Sequence, residues 1–449
     1  MQVQPDRGAA TLLSRFARYF AQAQDCPEIA VVSVPRSQKR TASVARFDRD
    51  RFDGDGLTAA DALESHSMSD GALAVCTLSI EGSLASSLNA GSLREALERA
   101  RASLVFVPAS GNDELIDAAS FSAALAQSNL HPLFTGALRD GRGRPSGRLA
   151  ILDREQRIRA QAVPDAFRVL AVVPTFNEAD IIEHTLRYLT TQGIDVHLLD
   201  NWSTDATLER ARPFLGQGLV RIERFPADAP PNTYDLTRIL RRVEEIGREA
   251  AWADWIVLHD ADERRYGPFE GTGLRASLWR AQCCGYSCID HVTLNFWPVD
   301  DRFDHERHDV EEHFQYFEFS SHPGHFHQRR AWRRTDAPVS LAATAGHDVS
   351  FAGRRVYPYK FLLKHYPIRS RAHGIRKVLH ERKARLNPIE HAGGWHLQYE
   401  DLSPEQFVRE PGSLLRFDPE TFADDYLIER LSSVGIYDEP PAWATPPRW

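Results

Sequence analysis

The chain has 449 residues, too many for one ordinary hydrophobic core at roughly 100 to 200 residues per domain, so two domains are expected. Hydrophobic residues make up 42% of it and charged residues 26%, enough apolar surface for sizeable cores and too much for a disordered chain. The net charge of -8 argues against nonspecific attraction to nucleic acid, and no nucleic-acid partner is expected. No apolar stretch approaches the roughly 18 to 20 residues of a transmembrane segment, and the start MQVQPDRGAATLLSRFARYF lacks the apolar centre of a signal peptide. The expected location is therefore cytoplasmic, with peripheral attachment to the inner membrane face left open by composition. Five cysteines, three of them bunched as Cys283, Cys284 and Cys288, suit reduced thiols better than a disulfide framework or a zinc site.

In chain order, the Gly- and Pro-rich segment DGRGRPSGR (140–148) and the polar LDREQRIRAQAVPDA after it place a domain boundary near 165, giving units 1–165 and 166–449. FRVLAVVP (167–174) reads as a buried strand. A helix should follow, with Asn177 as cap, Asp180 three residues on, and Ile182, Leu186 and Leu189 on its apolar face. IDVHLLD (194–200) is the second strand, NWST a polar turn, and 206–215 a helix. LVRIER (219–224) is the third strand, and a long helix from about Thr233 turns Leu236, Leu240, Val243 and Ile246 to one side. Trp255 then opens the strand WIVLHDAD (255–262). This alternation predicts an α/β fold with a doubly wound, largely parallel sheet, in which ligands bind outside the carboxyl ends of the strands. Three such ends carry polar clusters, PTFNEAD, DNWSTD and HDADE, which should meet in one cleft.

Asp260 and Asp262 stand at i and i+2 where the fourth strand runs out. Two like charges there repel unless a cation joins them, and oxygen ligands suit Mg2+ or Mn2+, which would in turn hold a diphosphate. A polar strand end with a chance D-x-D is the plain alternative.

VVPTFNEAD, LLDNWSTDAT and WIVLHDADE, in that order and each behind an apolar strand, resemble the nucleotide-binding signatures of glycosyltransferase family 2, which has the GT-A fold. The likeness covers roughly residues 166 to 400. It implies a donor-facing set of Pro174, Thr175, Asn177, Glu178, Asp200, Ser203, Asp205, Asp260 and Arg369, with Asp260 and Asp262 on the metal. For Asn177 and Asp205, a helix cap and a first-turn acid are equally good readings. KFLLKHYPIRS (360–370) is similar to the H-Y-x-x-R-S segment of bacterial members, which makes His365 a third metal or diphosphate ligand; Arg369 and Arg371 could neutralise phosphate.

The acceptor-side base that the family requires is sought in DRFDHERHDVEEHFQYFEF (301–319), at Asp309, Glu311 or Glu312, with Glu312 preferred. QRRAW (328–332) is similar to the Q-x-x-R-W signature of processive synthases, but Ala331 stands at the Arg position, which speaks against a processive enzyme. Arg376, Lys377, Arg382, Lys383 and Arg385 read as a solvated helix face rather than an anionic acceptor site. Trp297 and Trp395 are candidates for stacking on a sugar, with core packing the alternative. In the first unit, the segment 86–121 is faintly similar to the middle of the same fold, with LVFVP as the strand before the metal motif; Pro108, Ala109 and Ser110 replace its acids, so this unit is expected to be a degenerate, metal-free GT-A-like domain.

The expected activity is transfer of a sugar from a UDP- or GDP-sugar, with Mn2+ or Mg2+, to a hydroxyl of a glycan, lipid-linked or protein-linked acceptor, with inversion. A nucleotidyltransferase is the first alternative, weakened because no Gly-rich loop follows the first strand. A glycan-binding protein with a vestigial site is the second.

Overall fold

The computed structural model describes residues 162–267, 273–319, 327–357, 360–392 and 403–417 continuously, and before them 13, 17, 28–34, 43–48, 73–78, 93, 97, 100, 102–109, 116–128, 130, 134–139 and 145–153. Ser110 and Trp395 lie outside these described residues.

The first unit is a six-stranded sheet of β1 (Glu28–Val34), β2 (Ser43–Asp48), β3 (Leu73–Leu78), β4 (Ala102–Pro108), β5 (Phe134–Arg139) and β6 (Pro145–Asp153), in the order β2-β1-β3-β4-β6-β5. β1, β3 and β4 run parallel, while β2 and β6 pair antiparallel to β1 and β4. Helix α1 (Ala118–Gln127) starts at Asp117, whose carboxylate accepts from Ser120 N at 2.8 Å, and buries Phe121 and Leu125 in one cluster with Val105 and Val107. Residues 145–148 of the Gly- and Pro-rich stretch belong to β6, so that stretch lies within the first sheet rather than after it.

The second unit follows the predicted alternation: β7 (Val169–Thr175), α2 (Ile182–Thr191), β8 (Asp195–Asp200), α3 (Thr207–Ala211) with a 3-10 turn after it, β9 (Leu219–Arg224), α4 (Leu236–Glu249) and β10 (Trp255–Leu258). With β12 (Cys288–Ile289) and β15 (Ala331–Arg333) they form the sheet β12-β15-β10-β7-β8-β9, in which β7 to β10 are parallel and β15 and β12 antiparallel. β7 is apolar on both faces because helices cover both; Ile182, Leu186 and Leu189 of α2 are buried, as are Leu240, Val243 and Ile246 of α4. Cys284 and Cys288 are buried, and Cys283 is partly buried.

A third sheet packs at the strand ends. It contains β11 (Glu263–Tyr266), β13 (His291–Phe296), β14 (Tyr316–Phe319), β16 (Phe361–His365) and β17 (Leu415–Arg416), in the order β11-β16-β13-β14-β17. The chain then turns through a short helix, Arg371–Gly374, into a π-helical stretch, Ile375–Arg382.

The two six-stranded sheets share one feature and differ in another. β4, like β10, has a parallel neighbour on one side and an antiparallel one on the other, and it ends in Pro108 and Ala109 without an acid. In the first sheet, however, the parallel strands follow one another in space as in sequence, whereas in the second the chain starts in the middle at β7 and reverses outward. That reversal puts a topological switch point in the second sheet between β7 and β10, the place at which open α/β sheets bind ligands. Among the described residues no helix is long and apolar enough to cross a membrane.

Candidate functional site

The three polar strand ends meet, and direct bonds lock them together. Asn201 N donates to Thr175 O at 2.8 Å, and His259 N to Val172 O at 3.0 Å. Asn177 N donates to Ser203 Oγ at 3.0 Å, Thr204 N to Asn177 Oδ1 at 2.8 Å, and Glu178 N to Thr207 Oγ1 at 2.8 Å. Two residues of these loops, Asn177 (φ 55°) and Trp202 (φ 63°), are left-handed without being glycine, a conformation that a bulky side chain adopts only when its surroundings hold it there.

This arrangement corrects one expectation. α2 begins at Ile182 and has no side-chain cap; Asn177 instead uses its amide to tie the second loop and the C-terminal segment, donating from Nδ2 to Glu381 at 2.8 Å. Asp205 braces rather than reaches outward: Oδ2 accepts from Ala179 N at 3.2 Å and Oδ1 from Thr207 N at 2.9 Å. Asp200 is fully buried and accepts from Ser203 N; burial pushes its carboxyl above the ordinary range. Pro174 is in register with Leu199 near the end of β7, and the buried Thr175 hydroxyl, an orphan donor at that strand end, has no hydrogen-bond partner among the described residues.

Asp260 and Asp262 lie in the turn from β10 to β11, and each faces a different cation. Arg330 Nη1 is 2.7 Å from Asp260 Oδ2 and 3.5 Å from Glu263. Lys377 Nζ is 2.8 Å from Asp262 Oδ2 and 2.8 Å from Glu178 Oε1. Burial pushes the Asp262 carboxyl up, but Lys377, His365 and Arg369 outweigh it and hold it well below the usual carboxylate range. Asp260 is treated alike: burial raises it, Arg330 lowers it, Asp262 raises it again, and the net shift is downward. Glu263, paired with Arg265 at 2.6 Å, is pushed up by burial.

The register of the third sheet places Glu263, His365 and Asn295 in one cross-strand row. His365 Nδ1 meets Asn295 Oδ1 at 2.9 Å. An amide oxygen accepts only, so Nδ1 carries a proton and Nε2 is the ring nitrogen turned toward Asp262 Oδ1, 3.7 Å away. Two ligand bonds of about 2.1 Å can span up to about 4.2 Å, so these two atoms fit one divalent ion. A second acidic group, Glu178, Asp180 and His373, has its ligand atoms within 4.8 Å of one another, but the Arg369 guanidinium already fills it: Nη2 reaches Glu178 at 2.6 Å and Nε reaches Asp180 at 2.7 Å. Arg369 therefore acts on the site by holding these carboxylates, while Arg371 pairs with Asp301 at 3.6 Å.

The three candidate bases separate. Glu311 takes Lys364 Nζ at 2.6 Å and the Tyr266 hydroxyl, both on the ribbon face opposite His365. Asp309 caps the turn Val310–His313 and pairs with His184 at 3.4 Å. Glu312 is exposed to solvent, with no side-chain partner among the described residues. Trp297 is buried, donates Nε1 to Glu318 at 2.9 Å and lies under Arg409, as core packing requires.

Three cations of the site are not announced by the sequence. Lys377 belongs to a basic run that reads as a solvated face, yet it is partly buried between Glu178 and Asp262. In the same run Arg385 stacks on Phe176 at 3.9 Å and donates to Asn201 at 2.7 Å. Arg330 sits one residue before the Ala331 that breaks the Q-x-x-R-W likeness, and Gly346 O accepts its Nε at 2.8 Å. An Arg beside an expected Arg position was the available signal; for Lys377 there was none.

No protein-family model matches the sequence, and no curated protein matches it. Similar solved structures include TarS 1-349 of S. aureus, at 14% identity over 44% of this chain and 60% of that one, with a TM-score of 0.26. Full TarS is 13% identical over 61% of this chain and 52% of that one, TM-score 0.28. The mannosyltransferase PcManGT of Pyrobaculum calidifontis, in complex with GDP-Man and Mn2+, is 17% identical over 63% and 79%, TM-score 0.26. The matched part thus spans less than two thirds of either TarS chain, and likeness at these scores bears on neither the site nor the activity.

Proposed function

We propose that the protein is a glycosyltransferase that moves a sugar from a UDP- or GDP-sugar to a hydroxyl of a glycan, lipid-linked or protein-linked acceptor, with inversion and with Mn2+ or Mg2+. The observation that carries this reading is the union of three strand-end loops at the switch point with Nε2 of His365 turned toward Asp262. The loops of Thr175 to Glu178 and Asp200 to Ser203 would receive the nucleoside, and the orphan Thr175 hydroxyl awaits a partner there.

Asp262 and His365 would hold the metal, joined by Asp260 from the same turn; mixed oxygen and nitrogen donors suit Mn2+ better than Mg2+. When bound, such an ion supplies Lewis-acid stabilisation of the departing diphosphate. Arg369 keeps Glu178 and Asp180 fixed, and Asn295 holds the imidazole by Nδ1 with Nε2 toward Asp262. Glu312 is the proposed base, because Asp309 and Glu311 are committed to other partners.

A non-catalytic binding module draws on one observation: Asp260 and Asp262 already have protein cations. Thermal melting with nucleoside diphosphates and nucleotide sugars, with Mn2+, Mg2+ or chelator, separates the two. A metal-dependent rise with one nucleotide class supports the transferase; no rise under any condition refutes it.

A further inference from the structure

We propose that Lys377 is a resident cation of the donor site that competes with the divalent ion and then passes to the diphosphate, an inference that rests on the transferase reading above. The two carboxylates that Lys377 bridges are not equivalent. Glu178 has a second cation, since Arg369 Nη2 holds its other oxygen at 2.6 Å. When Lys377 leaves, Glu178 stays paired. Asp262 has Lys377 on Oδ2 and Nε2 of His365 facing Oδ1. Its loss of the ammonium is made good by a cation that the imidazole can also ligate, which a divalent metal is and a second side-chain cation is not.

The segment that carries Lys377 is placed for such an exchange. It is π-helical, a wide turn that recurs at functional positions. Its neighbours hold the two loops assigned to the nucleoside: Arg376 Nη1 donates to Asn177 O at 3.1 Å, Glu381 accepts from Asn177 Nδ2, and Arg385 covers Phe176. A nucleotide entering against Asn177 and Phe176 therefore meets the same segment that presents the ammonium. A lysine offers three donors on a flexible stem and needs no fixed geometry, so it can pass from carboxylate to phosphate oxygen by rotation of its own side chain.

The test compares Mn2+ and UDP or GDP binding by calorimetry in the full chain, wild type against Lys377→Met, with Lys377→Arg as a charge-keeping control and the melting temperature as a check on folding. Removing a unit charge this close to the ion is expected to tighten Mn2+ binding without nucleotide by about tenfold or more. It should also weaken diphosphate binding in the presence of Mn2+ by about tenfold, the loss of one charged hydrogen bond. Lys377→Met should melt lower than wild type in chelator and recover with Mn2+, a response that a merely structural lysine would not give; Lys377→Arg should keep the wild-type order. Unchanged or weaker Mn2+ binding in Lys377→Met, with nucleotide binding retained, would overturn the exchange and leave the donor site standing. If neither wild type nor variant binds Mn2+ or nucleotide, the donor-site reading fails and this inference with it.

Discussion

His365 presents Nε2 to Asp262 because Asn295 takes the proton on Nδ1, and a ligand tautomer fixed by a neighbour is open to a direct test. Asn295→Ala removes that hold without touching the ion, and Mn2+ affinity should drop about 10- to 100-fold by calorimetry. An unchanged affinity would mean that the imidazole is not a ligand. Asp262→Ala and Asp260→Ala should each abolish metal-dependent donor binding while the circular dichroism spectrum stays that of the wild type; donor affinity that survives in both rules out the metal assignment. Glu312→Gln is expected to bind donor normally and to lose transfer by about 10²- to 10⁴-fold, the usual share of a general base. Full turnover in that variant would remove Glu312 and return attention to Asp309 and Glu311, at the cost of explaining how they leave His184 and Lys364.

At the level of elements, the segment after β15 shows how a backbone position governs a charged side chain. Gly346 has φ 79°, and a Cβ there would stand 2.8 Å from Leu240 Cδ2 on α4. Its carbonyl accepts from Arg330, the partner of Asp260. Gly346→Ala therefore meets both left-handed strain and a clash, and a loss of about 1 to 3 kcal/mol is expected, with weaker donor binding if Arg330 shifts. Urea denaturation beside nucleotide titration would measure both. The strands and helices from β7 to β10 were legible because each carries its own periodicity: continuous apolar runs for buried strands, and the i, i+4, i+7 spacing of Ile182, Leu186 and Leu189 for α2. The third sheet was not. Its strands are short, and β11 reads ERRY, with Arg264 and Arg265 buried by ion pairing and hydrogen bonding rather than by apolarity, which no hydropathy pattern announces. The cap expected of Asn177 failed for a related reason. Local spacing favoured a helix start, but contacts with residues 26 or more positions away drew its side chain elsewhere.

For the whole molecule, the histidines decide how stability depends on pH. His197 and His291 are buried, one on β8 and the other on β13, and burial lowers both below the ordinary histidine value, with neighbouring arginines adding to the effect. His291 donates from Nδ1 to Gln328 O at 2.9 Å and leaves Nε2 bare, so the folded state keeps it neutral. As pH falls through the unfolded value of about 6.5, the unfolded chain takes up protons that the folded protein refuses, and stability falls. His184 works the other way: its hydrogen bond to Asp309 raises it, so its contribution is present below about 6.5 and is lost as pH rises through the raised value. Burial lowers His259, His313, His327 and His373 as well, so among the described residues six depressed rings against one half-buried pair give a net loss on the acid side, at about 1.4 kcal/mol for each pKa unit of depression. The melting temperature should therefore fall between pH 7 and pH 5, before carboxylates such as Asp290 titrate, since Lys360 and its neighbours hold that buried acid well below the ordinary range. His291→Gln should flatten this slope, because an amide of similar shape has no proton to take up. A slope identical to wild type would place the acid sensitivity elsewhere, and a melting temperature that does not change from pH 7 to pH 5 would show that the buried rings are protonated in the folded protein.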